Sequence, residues 1–188
     1  MRRLPEVKDK WIPYYYEAER ASLFVIMAAE DLAKSIATHP LVEGSPFPHP
    51  WEHTRFWYSV QSLLVAAGML SKLLFPKEKH AERGKQLRKL LQVPDDSPLQ
   101  SRRLRNVFEH FDEHLDDLDV PEEVPYMDLF VDPHLLVKKD ETVLYGRAFY
   151  SETWTMRYGE EWYELRPIIQ AAKEIHEVIS HNPDVWWA

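Results

Sequence analysis

EHTRFWYSVQSLLVAAGMLSKLLF, residues 52–75, carries the clearest pattern in the chain. Phe56, Val60, Leu63, Ala67, Leu70 and Leu74 alternate at spacings of four and three. That rhythm puts all six on one side of an α-helix and makes the seam of a closely packed helix pair. Only Arg55 and Lys72 carry charge between residues 55 and 75, so most of this helix should be covered by other elements. Pro76, which cannot continue an α-helix, closes it. The residues around this seam therefore read as a helical bundle.

Upstream, Tyr14 to Thr38 reads as a first helix, with Ala18, Ala21, Val25, Ala28, Ala29, Leu32 and Ile36 on its main face. Tyr16, Leu23 and Met27 form a second apolar line, so neighbours are expected on both sides, the outer one a two-fold partner surface shared with the polar face of the motif helix. The segment Val42–Pro50 holds three prolines and one glycine and reads as a loop. Downstream, a shorter helix at about Lys79–Leu91 buries Leu87, Leu90 and Leu91. Past Leu118 the texture changes. Pro121 and Pro125 bracket an acidic linker, and Leu135–Lys139, Thr142–Tyr145 and Thr153–Tyr158 are β-rich pieces broken by Gly146 and by a turn at Gly159. A final helix from about Glu164 to Ser180 buries Leu165, Ile168, Ile169, Ala172, Ile175 and Ile179. The expected fold is mainly α: an antiparallel helical bundle over residues 1–120, then a small antiparallel β appendage and a C-terminal docking helix over 121–188, all one structural unit.

Between these parts lies the stretch that bears on chemistry, Leu104-Arg105-Asn106-Val107-Phe108-Glu109-His110. Leu104, Val107, Phe108, Phe111, Leu115 and Leu118 repeat at helical spacing, leaving Arg102, Asn106, Glu109 and Glu113 opposite the apolar stripe and Arg105 and His110 at its flanks. Ser97 with Gln100 three residues on reads as a capping box, and Pro98 suits the first turn of a helix.

The Arg105-Asn106-x3-His110 arrangement resembles the HEPN superfamily, helical-bundle proteins with an Arg-polar-x3-to-x5-His motif on a late helix. The wider string, with Glu109-His110-Phe111-Asp112-Glu113, looks like an uncharacterised bacterial HEPN-like family. The bundle resemblance covers about residues 14–120. It implies a metal-independent endoribonuclease, needing no cofactor, that leaves cyclic-phosphate ends, with two motif helices meeting across a homodimer. In that reading His110 exchanges the proton near neutrality. Arg105 holds the phosphate charge, and Asn106, one turn before His110, orients the ring or the phosphate. Arg102 and Arg103 would bind the RNA backbone. The alternative is a non-catalytic interaction or scaffold subunit, for example one paired with an antitoxin: Arg105 with Glu109 and Asn106 with His110 also make ordinary helix-surface pairs.

Composition bounds both readings. The net charge of −8 opposes broad nucleic-acid binding, yet nine Lys or Arg against four acids fall between Pro76 and Arg105, and twelve acids against two lysines between Glu109 and Glu141. With no cysteine, disulfide frameworks and zinc-thiolate sites are excluded. The pairs His110/His114, with Glu113 or Asp117, and His49/His53 have zinc-ligand spacing, but no histidine has an acid three residues before it, as a di-iron bundle requires. No metal is expected. The apolar runs are too short for a membrane span, and no signal peptide is indicated, so a soluble, cytoplasmic protein is expected. The aromatic run Tyr145, Phe149, Tyr150, Trp154, Tyr158, Trp162 and Tyr163 is expected to pack the appendage on the bundle.

Overall fold

A computed structural model of the chain describes residues 9–37, 50–101, 116, 126–131, 144–158 and 161–181. Its main helices are α1 (Ile12–Ala37), α2 (Pro50–Leu74), α3 (Ala81–Leu90) and α4 (Leu165–Ser180). The strands are β1 (Tyr126–Val131), β2 (Leu144–Tyr150), β3 (Thr155–Tyr158) and β4 (Glu161–Glu164).

The seam read from the sequence is where the core sits. Phe56, Val60, Leu63, Ala67, Leu70 and Leu74 are all buried, and α1 packs along α2 and also against α4. Small residues let the helices approach: Ala18, Ala21, Ser22, Ala28 and Ala29 on α1 face inward, as do Ser59, Ala66 and Ala67 on α2. Two of the buried hydroxyls are satisfied locally. Ser22 donates to the Glu19 carbonyl at 2.7 Å and Ser59 to that of Arg55 at 3.1 Å, inside their own helices. The apolar face expected for α4 is buried from Leu165 to Ile179.

One expectation about coverage fails. Tyr16, Leu23 and Met27 on α1, read as a line with a neighbour of its own, are exposed in the single chain, but Trp51, Tyr58 and Val65 leave one line of α2 open to solvent. Those three are spaced seven apart, two helical turns, so they share a single strip. Scarcity of charge on α2 misled because aromatic and β-branched residues also occupy exposed helix positions.

At the far end of α2 the chain turns through Pro76 and a 3-10 turn, Glu78–His80, into α3. Gly84 makes this packing possible. A Cβ there would stand 2.7 Å from the Leu74 carbonyl oxygen and press on the Pro76 ring. One turn later Arg88 donates to the same carbonyl at 2.7 Å, pairs with Asp95 at 2.8 Å, and lies 4.6 Å from the centre of the Phe75 ring. A cation thus satisfies a carbonyl in the last turn of α2, where the helix dipole is negative. α3 closes with Gln92 at φ 57° and a bond from the Val93 N–H to the Arg88 carbonyl at 2.8 Å, a left-handed helix stop.

The sheet runs β1-β2-β3-β4. β2, β3 and β4 are antiparallel, as expected, but β1 joins as a parallel edge strand from the stretch read as leaving a linker. Gly146 does not break β2. Met127 and Leu129 of β1 pair with Tyr145 and Ala148, so Asp128 stands against both Gly146 and Arg147. The extra residue is a bulge, which glycine favours and which redirects its neighbour. β4 was not anticipated; its two-sided pattern is only four residues long. Phe149, Met156 and Tyr163 stand in register across β2, β3 and β4 and are all buried, forming the sheet's inner face. The strand expected at Leu135–Lys139 and the turn at Gly159 lie outside the described residues.

Candidate functional site

Arg102, Arg103, Arg105, Asn106 and His110 all lie outside the described residues, as do His49, Glu113, His114 and Asp117. Within the acidic part of that stretch, Asp116 is described; it is helical and exposed. The approach to the motif is described up to Ser101. The Ser97 hydroxyl accepts from the Leu99 N–H at 3.4 Å and caps a 3-10 turn, Pro98–Gln100. Leu99 is fully buried, and this turn packs against both α2 and α4. Ser101 then leaves helical geometry, at ψ 112°. The capping signal at Ser97 was therefore read correctly as a helix start, but it opens a short turn instead of one continuous helix. Buried Leu99 fixes the chain three positions before Arg102.

Part of the basic run ahead of the motif is committed to structure. Arg88 is used at the end of α2, and Arg83 reaches the Lys72 carbonyl at 3.5 Å while lying 5.1 Å from the Tyr14 ring centre. Lys77, Lys79, Lys85 and Lys89 are exposed. The run therefore offers a phosphate fewer free cations than its count suggests.

The strongest polar convergence among the described residues lies where the bulged strand meets α2. Arg147 holds Asp128 with two parallel bonds, Nε to Oδ1 at 2.9 Å and a second from the terminal nitrogen to Oδ2. Its guanidinium also lies 4.7 Å from the centre of the Trp57 ring. Trp57 in turn packs edge-on against Phe56, which meets Phe149 of β2 edge-on at 5.0 Å. The bulge at Gly146 therefore has a consequence: it sets Arg147 beside Asp128 and over Trp57, so one side chain ties β1, β2 and α2 together.

His53 completes the group. The Trp57 indole N–H donates to His53 Nε2 at 3.1 Å, so a neutral imidazole must carry its proton on Nδ1. Nδ1 is buried and has no hydrogen-bond partner among the described residues. Burial lowers the His53 pKa, with Asp128 pulling it up and Arg147 pushing it down. Burial raises the Tyr158 phenol, on which Arg147 again pulls down and Asp128 pushes up. The ion pair is thus close to self-cancelling for its neighbours, and the burial term decides both directions. With Asp128 neutralising Arg147, this arrangement holds elements together well and grips an outside anion poorly. Sequence reasoning singled out His53 only through its spacing from His49; the signal for Arg147 was Gly146, one residue before it.

No group of three or more His, Asp or Glu side chains among the described residues could hold a metal ion, and no single helix there is long and apolar enough to cross a membrane. Of the aromatic run, Phe149 and Tyr163 are buried, Trp154 and Tyr158 are half-buried against the core, and Trp162 is exposed beside Tyr150 at 5.3 Å. No protein-family model, curated protein or solved structure matches the chain.

Proposed function

We propose that this chain is a HEPN-type protein, an antiparallel helical bundle with its C-terminal helix docked back, acting as a metal-independent endoribonuclease through Arg105, Asn106 and His110. The observation that carries the reading is the motif itself: a permanently charged fork, an amide and a titratable ring within six residues of an amphipathic pattern. His110 takes the proton of a ribose 2′-hydroxyl or returns one to the leaving oxygen. Arg105 balances the charge on the scissile phosphate. Asn106 orients the imidazole, and Arg102 and Arg103 hold the flanking backbone. Buried Leu99 supports the reading, because a fixed point just ahead of these residues limits how far the segment can move.

The proposed site is used as a dimer, since each copy supplies one histidine at the motif position, His110, and two-step acid–base chemistry uses two. The second reading, a non-catalytic scaffold paired with a protein such as an antitoxin, is favoured by the twelve acids between Glu109 and Glu141, which repel phosphate. Incubating the purified chain with single-stranded RNA in EDTA separates the two. Cleavage to cyclic-phosphate ends, reduced about 10²–10⁴-fold in His110→Ala and similarly in Arg105→Ala, supports the nuclease. Equal cleavage by wild type and His110→Ala, or none by either, overturns it.

A further inference from the structure

The exposed face of α1 is a seam without a partner. Tyr16, Arg20, Leu23, Met27, Glu30 and Lys34 follow one another at spacings of four, three, four, three and four. At about 100° per residue they occupy a strip roughly 80° wide, opposite the centre of the buried face. Met27 is 58% exposed, Phe24 beside the strip 46%, Tyr16 39% and Leu23 36%. Four large apolar side chains on one helical face, left open, form a patch of the kind that marks a contact surface.

Charge specifies what fits it. Arg20 stands one step toward the N-terminus from the Leu23/Met27 centre, and Glu30 one step toward the C-terminus. In a parallel, in-register pairing of two α1 helices, Arg20 would meet Arg20 and Glu30 would meet Glu30. In an antiparallel pairing whose layers match positions summing to 50, Leu23 meets Met27, Arg20 meets Glu30, and Tyr16 meets the stem of Lys34. Both apolar layers then sit at the centre, with an opposite-charge layer on either side. Glu30 has no ion-pair partner among the described residues, whereas Arg20 and Lys34 already pair within their own helix with Glu17 and Asp31, in bonds exposed enough to be exchanged.

We propose that α1 is the self-association surface of this protein, pairing antiparallel with α1 of a second copy through Leu23–Met27 layers flanked by Arg20–Glu30 pairs. The two-fold symmetry makes the surface self-complementary, so each dimer has two of every layer. The seam from Tyr16 to Lys34 spans about 27 Å at 1.5 Å per residue. This surface does not rest on the ribonuclease reading and is measured without RNA.

The test is the mass of the full chain by sedimentation equilibrium across micromolar concentrations, with circular dichroism to confirm folding. All the altered side chains are exposed, so the monomer should keep its fold. The expected result is a dimer that Met27→Asp converts to monomer. Arg20→Glu and Glu30→Arg should each weaken it about tenfold, because each places like charges in two layers. The chain carrying both changes should recover to within about threefold of wild type, since the charges are then exchanged in place. A monomeric wild type overturns the proposal, as does a dimer indifferent to Met27→Asp. Failure of the double variant to recover overturns the antiparallel register. A dimer formed through another face would still cleave RNA if the motif is active, so the two readings fail separately.

Discussion

Each end of α2 is held by the same three parts: an arginine laid over an aromatic ring and joined to an aspartate. At the N-terminal end Arg147 lies over Trp57 and grips Asp128; at the C-terminal end Arg88 lies over Phe75 and grips Asp95. Ring distances are nearly equal, 4.7 and 4.6 Å. What differs is water. The Asp128 side chain is 13% exposed and that of Asp95 is 85% exposed. A carboxylate left alone in the first position has lost most of its hydration, whereas in the second it returns to solvent. The same three parts therefore carry unequal weight: Asp128 accepts on both oxygens in a largely dry site, whereas both Arg88 bonds fall on Oδ1 of a solvated Asp95.

Arg147→Ala should break this comparison most visibly. It strands Asp128 and removes the cover from Trp57, so a loss of about 3 kcal/mol is expected, at the low end of the ~3–5 of a fully buried pair. For a chain of this size that corresponds to a melting decrease of roughly 6–12 °C. Replacing both partners with apolar residues, Arg147→Met with Asp128→Leu, should recover most of the loss, because the cost lies in the unpaired charge. Equal destabilisation by the single and double changes would mean that the ion pair is not what joins sheet to helix.

Gly84→Ala probes the other end. Alanine normally gains about 1 kcal/mol over glycine inside a helix. Here its Cβ would meet the Leu74 carbonyl at 2.7 Å, backbone that cannot swing aside. Overpacking of this kind costs about 1–3 kcal/mol, so a net loss of about 1 kcal/mol is expected in denaturant titration once the helix gain is subtracted. A stabilised variant would show that α3 can slide, and that Arg88 reaches the end of α2 without needing close approach.

A smaller effect depends on pH. The folded protein holds the His53 pKa below its unfolded value near 6.5, mainly through burial. The unfolded chain then binds the proton more readily, so His53 contributes stability above about pH 6.5 that is lost as pH falls through the lower folded value. His53→Gln keeps an acceptor near Nε2 for the Trp57 indole and removes the titration. The gap between wild type and variant should therefore be constant above pH 7 and shift in favour of the variant on acidification. Parallel stability curves from pH 7.5 to 5.5 would mean that Nδ1 is solvated after all.

The two ends of α2 were not equally legible in the sequence. Helices with a one-sided apolar rhythm, α4 above all, were readable within a residue or two, because burial of a stripe is a local property of spacing. Pro76 at least marked where α2 ends, although Gly84 gave no sign of the close approach of α3. The Arg147 clamp was not readable: it needs a bulge at Gly146, a parallel β1 from a distant segment and an aromatic ring on α2, three features with no shared period. The same limit explains why β1 and β4 were missed, since strands this short take their pairing from neighbours far along the chain. It explains too why the open strip on α2 was expected to be covered, because apolar spacing says which face is apolar and not what lies over it. Of the motif, the sequence supplies the residues Arg105, Asn106 and His110 and their order, and these lie outside the described residues.

The least change is expected from Asp95→Ala, and its smallness is the sharpest check on the burial argument. Asp95 takes two bonds from Arg88, at 3.0 and 2.8 Å, a geometry that on distances alone rivals the pair at Arg147. If distance set the contribution, the loss would approach that of the other clamp. Because Asp95 is almost fully in water, its attraction to Arg88 is screened and ordering the two side chains offsets part of what remains. Arg88 itself keeps the Leu74 carbonyl and the Phe75 ring when Asp95 is gone. The expected loss is therefore below about 0.5 kcal/mol, shrinking further in 0.5 M salt. Arg88→Ala should exceed it by about 1 kcal/mol, through the orphaned carbonyl. A loss above 2 kcal/mol for Asp95→Ala would mean that bond geometry, and not desolvation, ranks the two ends of α2.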